Sequence, residues 1–179
     1  MTVSEAISKS GITPSASYTG IEAANDFVLA FQTDKSKQSK VSDWIVCADH
    51  VKEHSGSLNA TTEDTQYIRT GNVTDKTGTQ RTLAVNGDRC VGDAFQDFAL
   101  SHKIKYGTGG DGIVPYIYFS LRTGKGEKGE ASVIVTSDVG GAAGSKATFA
   151  CDVKATGIPD EFDYTTATQS AAPAKSVKA

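Results

Sequence analysis

Apolar residues recur at strand spacing over most of this chain and switch once, clearly, to helical spacing. Phe27, Leu29 and Phe31 alternate with smaller residues, and residues 44–48 form a short apolar run without helical period. Residues 67–69 and 81–85 predict further short strands, residues 102–106 follow, and residues 113–122 form a longer apolar and aromatic run. The clearest alternation is over 146–155. Ala147, Phe149, Cys151, Val153 and Ala155 share one face, and Lys146, Thr148, Ala150, Asp152 and Lys154 share the other. Residues 131–136 predict the strand before it, and the intervening SDVGGAAGS predicts a flexible hairpin tip.

The helical interruption lies in NGDRCVGDAFQDFALSH, residues 86–102. Asn86-Gly87-Asp88 is turn chemistry that ends a strand, and Asp93 followed three residues later by Gln96 is an acidic form of the capping box. A short helix is predicted from Asp93. At helical spacing Ala94, Phe95, Phe98 and His102 fall on one stripe, so Phe95 and Phe98 are expected to face the core. Leu100 projects almost opposite and is the candidate for contact with a second protein surface.

Many short strands, Gly-rich turns and one helix predict a mainly β protein: two packed antiparallel sheets, as a β-sandwich or partly open barrel, with one flanking α-helix. Residues 1–20 are small and polar and read as an N-terminal arm. Residues 21–164 read as the β domain, and residues 165–179 as a low-complexity C-terminal arm. The segment 33–42 carries Lys35, Lys37 and Lys40 with Val41 as its one apolar anchor, so it is expected to project from the body.

Composition narrows the function classes. The 179 residues suffice for one core without covalent staples, and Cys47, Cys90 and Cys151 are too far apart for a zinc or redox motif. No apolar run approaches the roughly 20 residues that span a bilayer, and the N-terminus lacks a basic patch followed by an apolar core. The expectation is a soluble protein made in the cytoplasm, with no membrane partner. A formal net charge of −3 argues against general affinity for nucleic acid and suits a surface that DNA passes without sticking.

Candidate chemistry is sparse. His50 and His54 have a spacing that serves a metal on a helix, but on a strand they stand about 13 Å apart. Asp88, Asp93 and Asp97 cluster, yet turn and cap roles explain the first two and no nucleophile completes a set. The segment GTGGDG lacks the Lys-Ser/Thr of a phosphate-binding loop. Tyr116, Tyr118 and Arg122 fall on one strand face and form the one candidate stacking platform, which a carbohydrate-binding module would use. No catalytic residue, metal ligand or cofactor site is assigned, and the chain is read as a non-enzyme.

The run NGDRCVGDAFQDFALS, the strand-rich half with its Gly-rich hairpin and the exit CDVKATGIPDEFDYT resemble major tail tube proteins of tailed bacteriophages of Gram-positive bacteria, over residues 22–164. The resemblance implies a structural virion protein of the phage tail. Six copies would form a ring, rings would stack into a hollow tube that conducts DNA during infection, and no catalysis or cofactor would be required. It implies self-association, contacts with tape measure, terminator and baseplate proteins, and DNA that passes through the lumen without specific binding. Leu100 becomes a candidate subunit contact; Lys35, Lys37, Lys40 and both arms become candidate ring-to-ring contacts. Lumens in that family tend to be acidic, whereas Lys146, Asp152 and Lys154 make the best-defined polar sheet face mixed in sign. The alternatives are a β-sandwich carbohydrate-binding module and the tube protein of a phage-derived contractile particle or secretion system.

Overall fold

The computed structural model describes residues 1–34, 36 and 40–164. Its strands are β1 (Phe27–Phe31), β2 (Ile45–Val46), β3 (Val51–Tyr67), β4 (Gly71–Asp88), β5 (Ile113–Ser120), β6 (Lys125–Gly140), β7 (Thr148–Ala155) and β8 (Asp160–Asp163). The helices are α1 (Val3–Ser10), α2 (Ala94–Ala99) and α3 (His102–Tyr106). All the strand pairings are antiparallel, in the order β2-β1-β5-β6-β7-β4-β3, with β8 beside β6.

The protein is mainly β with few helices, but the two expected sheets are halves of one sheet that share β6. Residues 126–132 of β6 pair with β5, and residues 131–140 pair with β7. The sheet folds over along β6. Its inner face closes on Leu29, Phe31, Val114 and Tyr116 from the first half and on Leu83, Val85, Phe149, Cys151 and Val153 from the second. Alternation along β1 and β5 makes the opposite face of the first half apolar too, with Val28, Ala30, Ile117 and Phe119. Val3 of α1, Phe162 of β8 and the flanking Trp44 and Tyr164 cover that second cluster. Tyr164 stacks on Phe119 with ring centroids 5.4 Å apart.

Residues 1–20, expected as a polar arm, carry a docked helix. Thr2 and Glu5 form a reciprocal capping box, and Gly11 ends α1 in the left-handed region at φ 63°. Val3 is fully buried, its N–H donates to the Trp44 carbonyl at 3.1 Å, and Thr2 bridges to Ile45.

Helix α2 starts where its cap predicts, with the Asp93 carboxylate accepting from the Gln96 N–H at 2.9 Å. It ends at Ala99, and Ser101 opens a separate helix, α3, over residues read as a strand. The single stripe therefore does not continue to His102. His102 is exposed on α3 with its ring 4.8 Å from Tyr106, and Ala94 is exposed as well. Phe95 is fully buried and stacks on Phe31 at 5.0 Å, while Phe98 is half-buried. Beside Phe95, Gln96 has no exposed surface and its amide satisfies three backbone groups. Its Oε1 accepts from the Cys90 N–H at 2.7 Å, and its Nε2 donates to the carbonyls of Asp49 and Asp88 at 2.9 and 3.2 Å. It ties the end of β4 and the β2–β3 turn to α2.

Gln96→Leu keeps the bulk but strands those three groups in the core. Urea denaturation should show a loss of roughly 2–3 kcal/mol. A variant as stable as the parent would mean that the network is not needed.

Candidate assembly surfaces

Strands β3 and β4 form a hairpin far longer than the sheet that carries it. Their pairing runs from Val51–Gly87 to Tyr67–Gly71, but β4 meets β7 only over residues 82–88. Beyond the pair of Leu58 and Arg81, the hairpin is a two-stranded ribbon exposed on both faces. Threonine explains how so polar a segment holds strand geometry: residues 60–82 include Thr61, Thr62, Thr65, Thr70, Thr74, Thr77, Thr79 and Thr82, and β-branching favours the extended backbone. The turn closes on Gly71 at φ 79°, where a side chain would be strained. A bulge leaves Thr77 without an opposite residue, and its hydroxyl donates to the Thr61 carbonyl at 3.2 Å. At the tip Ile68 is completely exposed, and Leu58 at the root is 63% exposed.

The second half of the sheet is four strands wide, β6-β7-β4-β3, with an open hydrogen-bonding edge at each side. The outer edge of β3 carries no paired strand along its 17 residues among those described, and neither does residues 133–140 of β6 on the side away from β7. Such edges are templates for another strand.

The outer face of this half is open and lined by small polar residues. Register places Ser55, Ser57 and Asn59 of β3 beside Thr82, Ala84 and Asn86 of β4, then Ala150, Asp152 and Lys154 of β7, then Ser132 and Ile134 of β6. Asn59 donates to the Thr82 hydroxyl at 3.0 Å across the strands. Charges on or beside the face are paired locally. Lys52 and Lys146 both meet Asp88, Lys154 lies 3.6 Å from Asp152, and Asn86 donates to Glu53 at 3.0 Å. The hydrogen bond from Lys52 holds the Asp88 carboxyl below the usual carboxylate range.

Several residues singled out from sequence lie elsewhere. Leu100 is half-buried and packs with Phe98 against the main core, because α2 ends at Ala99 and turns the chain inward. It offers no free outer stripe. Lys40 is exposed; Lys35 and Lys37, like residues 165–179, lie outside the described residues. The stacking platform does not exist as an open surface. Tyr116 is 1% exposed, Tyr118 is sandwiched against Phe27 at 5.5 Å, and Arg122 pairs with Asp26 at 3.1 Å and covers Tyr18. The face of β5 that carries the tyrosines turns inward. Asp93 is a helix cap and Asp97 pairs with Arg89, so the aspartates have structural partners. His50 occupies the turn before β3 at φ 60°, apart from the half-buried His54 on β3.

No protein-family model matches the chain, and no curated protein matches it. Solved structures do. A chain from the tail of an empty gene transfer agent particle, computed with helical refinement in C6 symmetry, superposes with a TM-score of 0.55 at 17% identity, covering 80% of this chain and 100% of that one. This chain shares the fold of that tail chain. A chain from the virion of a native gene transfer agent particle superposes with a TM-score of 0.50 at 15% identity, covering 79% and 98%.

Asp26, Asp88, Asp97 and Asp138 are all held below the usual carboxylate range, by the Ala23 N–H and by hydrogen bonds from Lys52, Arg89 and Lys105 respectively. Because the folded values are depressed, their stabilisation is complete above about pH 5 and is lost as pH falls through the carboxylate range. The urea midpoint should drop steadily from about pH 5 to pH 3, and Asp97→Asn should flatten that drop. A midpoint independent of pH there would contradict the pairing.

Proposed function

We propose that this chain is a tail tube subunit, a structural virion protein that assembles with itself into stacked hexameric rings around a channel for DNA. One observation carries the reading: a four-stranded half-sheet with an open edge on each side and an uncovered face of small polar residues, in a fold shared with a tail chain of sixfold symmetry. Pairing the β3 edge of one copy with residues 133–140 of the next is a head-to-tail contact, which closes into a ring when the rotation per copy permits. Closure would remove both edges. The outer face of β6-β7-β4-β3 would then line the channel, and the helices would lie outside it.

The surface suits passage rather than capture. Its side chains are mostly short, and the charges of Lys52, Lys146 and Lys154 are balanced by Asp88, Asp152 and Glu53 on the same face, so a phosphate backbone meets no net cationic patch. The expected acidic lumen is replaced by a neutralised one. The ribbon beyond Leu58 and Arg81 reaches out from the body to a neighbouring ring, where Ile68 and Leu58 would be covered. Nothing in this role calls for catalysis. Other tail proteins, among them tape measure, terminator and baseplate components, would cap or fill the tube. The same subunit geometry suits the inner tube of a phage-derived contractile particle; the carbohydrate-binding alternative loses its platform to the core.

Purified protein should form rings or tubes with a central channel in negative stain. Ser57→Lys with Asn59→Lys, which adds two cations per copy to the face that would converge on the channel and leaves the core untouched, should oppose ring closure by repulsion and leave folded monomers by sedimentation velocity, with a melting temperature within a few degrees of the parent. A parent that stays monomeric at high concentration would overturn the reading. So would a double variant that assembles as the parent does.

A further inference from the structure

The ribbon leaves the body at Leu58 and Arg81, one residue beyond Thr82–Lys154, the last pair of β4 with β7. Two strands alone are marginally stable and swing about such a root unless something holds them. Arg81 reaches from that root across the fold of the sheet to the other half. Its Nε donates to Glu127 Oε1 on β6 at 2.7 Å, and its guanidinium lies 5.4 Å from the ring centre of Tyr118 on β5. The two ion-pair side chains are only 14% and 24% exposed, so the contact is shielded from solvent in a way surface pairs are not.

The receiving side is built around that guanidinium. The Tyr116 hydroxyl donates to the same Glu127 oxygen at 3.2 Å, and burial beside the carboxylate raises the phenol's pKa, which keeps it a donor. Tyr118 is itself fixed by stacking on Phe27, and His54 meets its ring edge-on at 5.8 Å. The His54 Nδ1 is buried without a partner, and burial favours the neutral ring, so it adds no positive charge beside Arg81. Gly56 supplies the space. A Cβ there would stand 2.6 Å from one terminal guanidinium nitrogen and 2.9 Å from the other.

We propose that Arg81 is a positioning residue that sets the angle between the ribbon and the body, with Gly56 as the relief that admits its guanidinium and Glu127 and Tyr118 as its receptor. Lysine replaces it only in part, because a compact ammonium keeps the charge near Glu127 but lacks the Nε donor and the broad guanidinium that lies over Tyr118. The consequence for assembly rests on the tail tube reading: the angle decides where Ile68 lands on a neighbouring copy. The angle itself is a property of the free subunit.

The test uses the full chain in monomeric form, with Cys90→Ser and spin labels at Ile68→Cys and Ile158→Cys, two exposed sites on the ribbon tip and the body. Cys47 and Cys151 are buried and escape labelling. Pulsed dipolar spectroscopy should give one narrow distance distribution. Arg81→Gln and Gly56→Ala should each broaden it at least twofold, Arg81→Lys should fall between, and each variant should raise the protein concentration needed for assembly roughly tenfold. If Arg81→Gln does not fold, Gly56→Ala and Arg81→Lys carry the same comparison. Unchanged widths in folded variants, with only a lowered melting temperature, would overturn the proposal and leave the pair a plain stabilising contact. Broadened widths with unchanged assembly would uphold the positioning role and separate the ribbon from tube formation.

Discussion

Strands β1 and β5 are apolar on both faces, and most of the architecture answers that demand. Leu29, Phe31 and Tyr116 point one way, and Val28, Ala30, Ile117 and Phe119 point the other. A sheet cannot leave either surface in water, so this half must be covered twice. Folding the sheet over along β6 covers the inner face with the second half, and α1 with β8 covers the outer face. Helices α2 and α3 close the side of the inner core through Phe95, Ala99 and Ile104.

That solution spends the covering elements on one half and leaves the other exposed. Strands β4, β6 and β7 contribute one apolar face to the inner core, to which β3 adds only Val51, and the opposite face of this half meets solvent as serine, threonine, asparagine and paired charges. Among the described residues the half also ends in two unpaired edges. An isolated monomer would carry 17 residues of open strand as an aggregation hazard, so a partner strand resolves a physical problem that folding alone leaves. The proposed ring turns that hazard into the assembly contact.

Legibility from sequence followed burial. The 148–155 strand and the cap at Asp93 were readable because each places apolar and polar residues on opposite sides of a boundary the fold respects. The β3–β4 ribbon was not, since both of its faces meet water and no alternation is imposed; its run of threonines was the available signal. Helix α1 was also readable in principle, from Thr2 and Glu5 at capping-box spacing and Gly11 at its end, but its few apolar residues masked it. Leu100 misled because helical projection assumed one continuous helix, whereas Ser101 starts another. Tyr116 and Tyr118 misled for a different reason: strand alternation shows that they share a face, and only the folding of the sheet shows that the face turns inward. Of the polar face expected from sequence, Asp152 and Lys154 lie on β7 while Lys146 precedes it, because the strand begins at Thr148; the open edges and Arg81 needed the strand order.

In the proposed ring the outer face of β6-β7-β4-β3 becomes a channel wall when neighbouring copies pair through their edges. A cryo-electron reconstruction of the assembled protein tests it most directly. The expected map is a hollow ring or tube with Ser57, Thr82 and Asp152 facing the channel and β3 of each copy hydrogen-bonded to β6 of the next. A wall formed by α2 and α3, or subunits whose β3 edges remain unpaired, would contradict it.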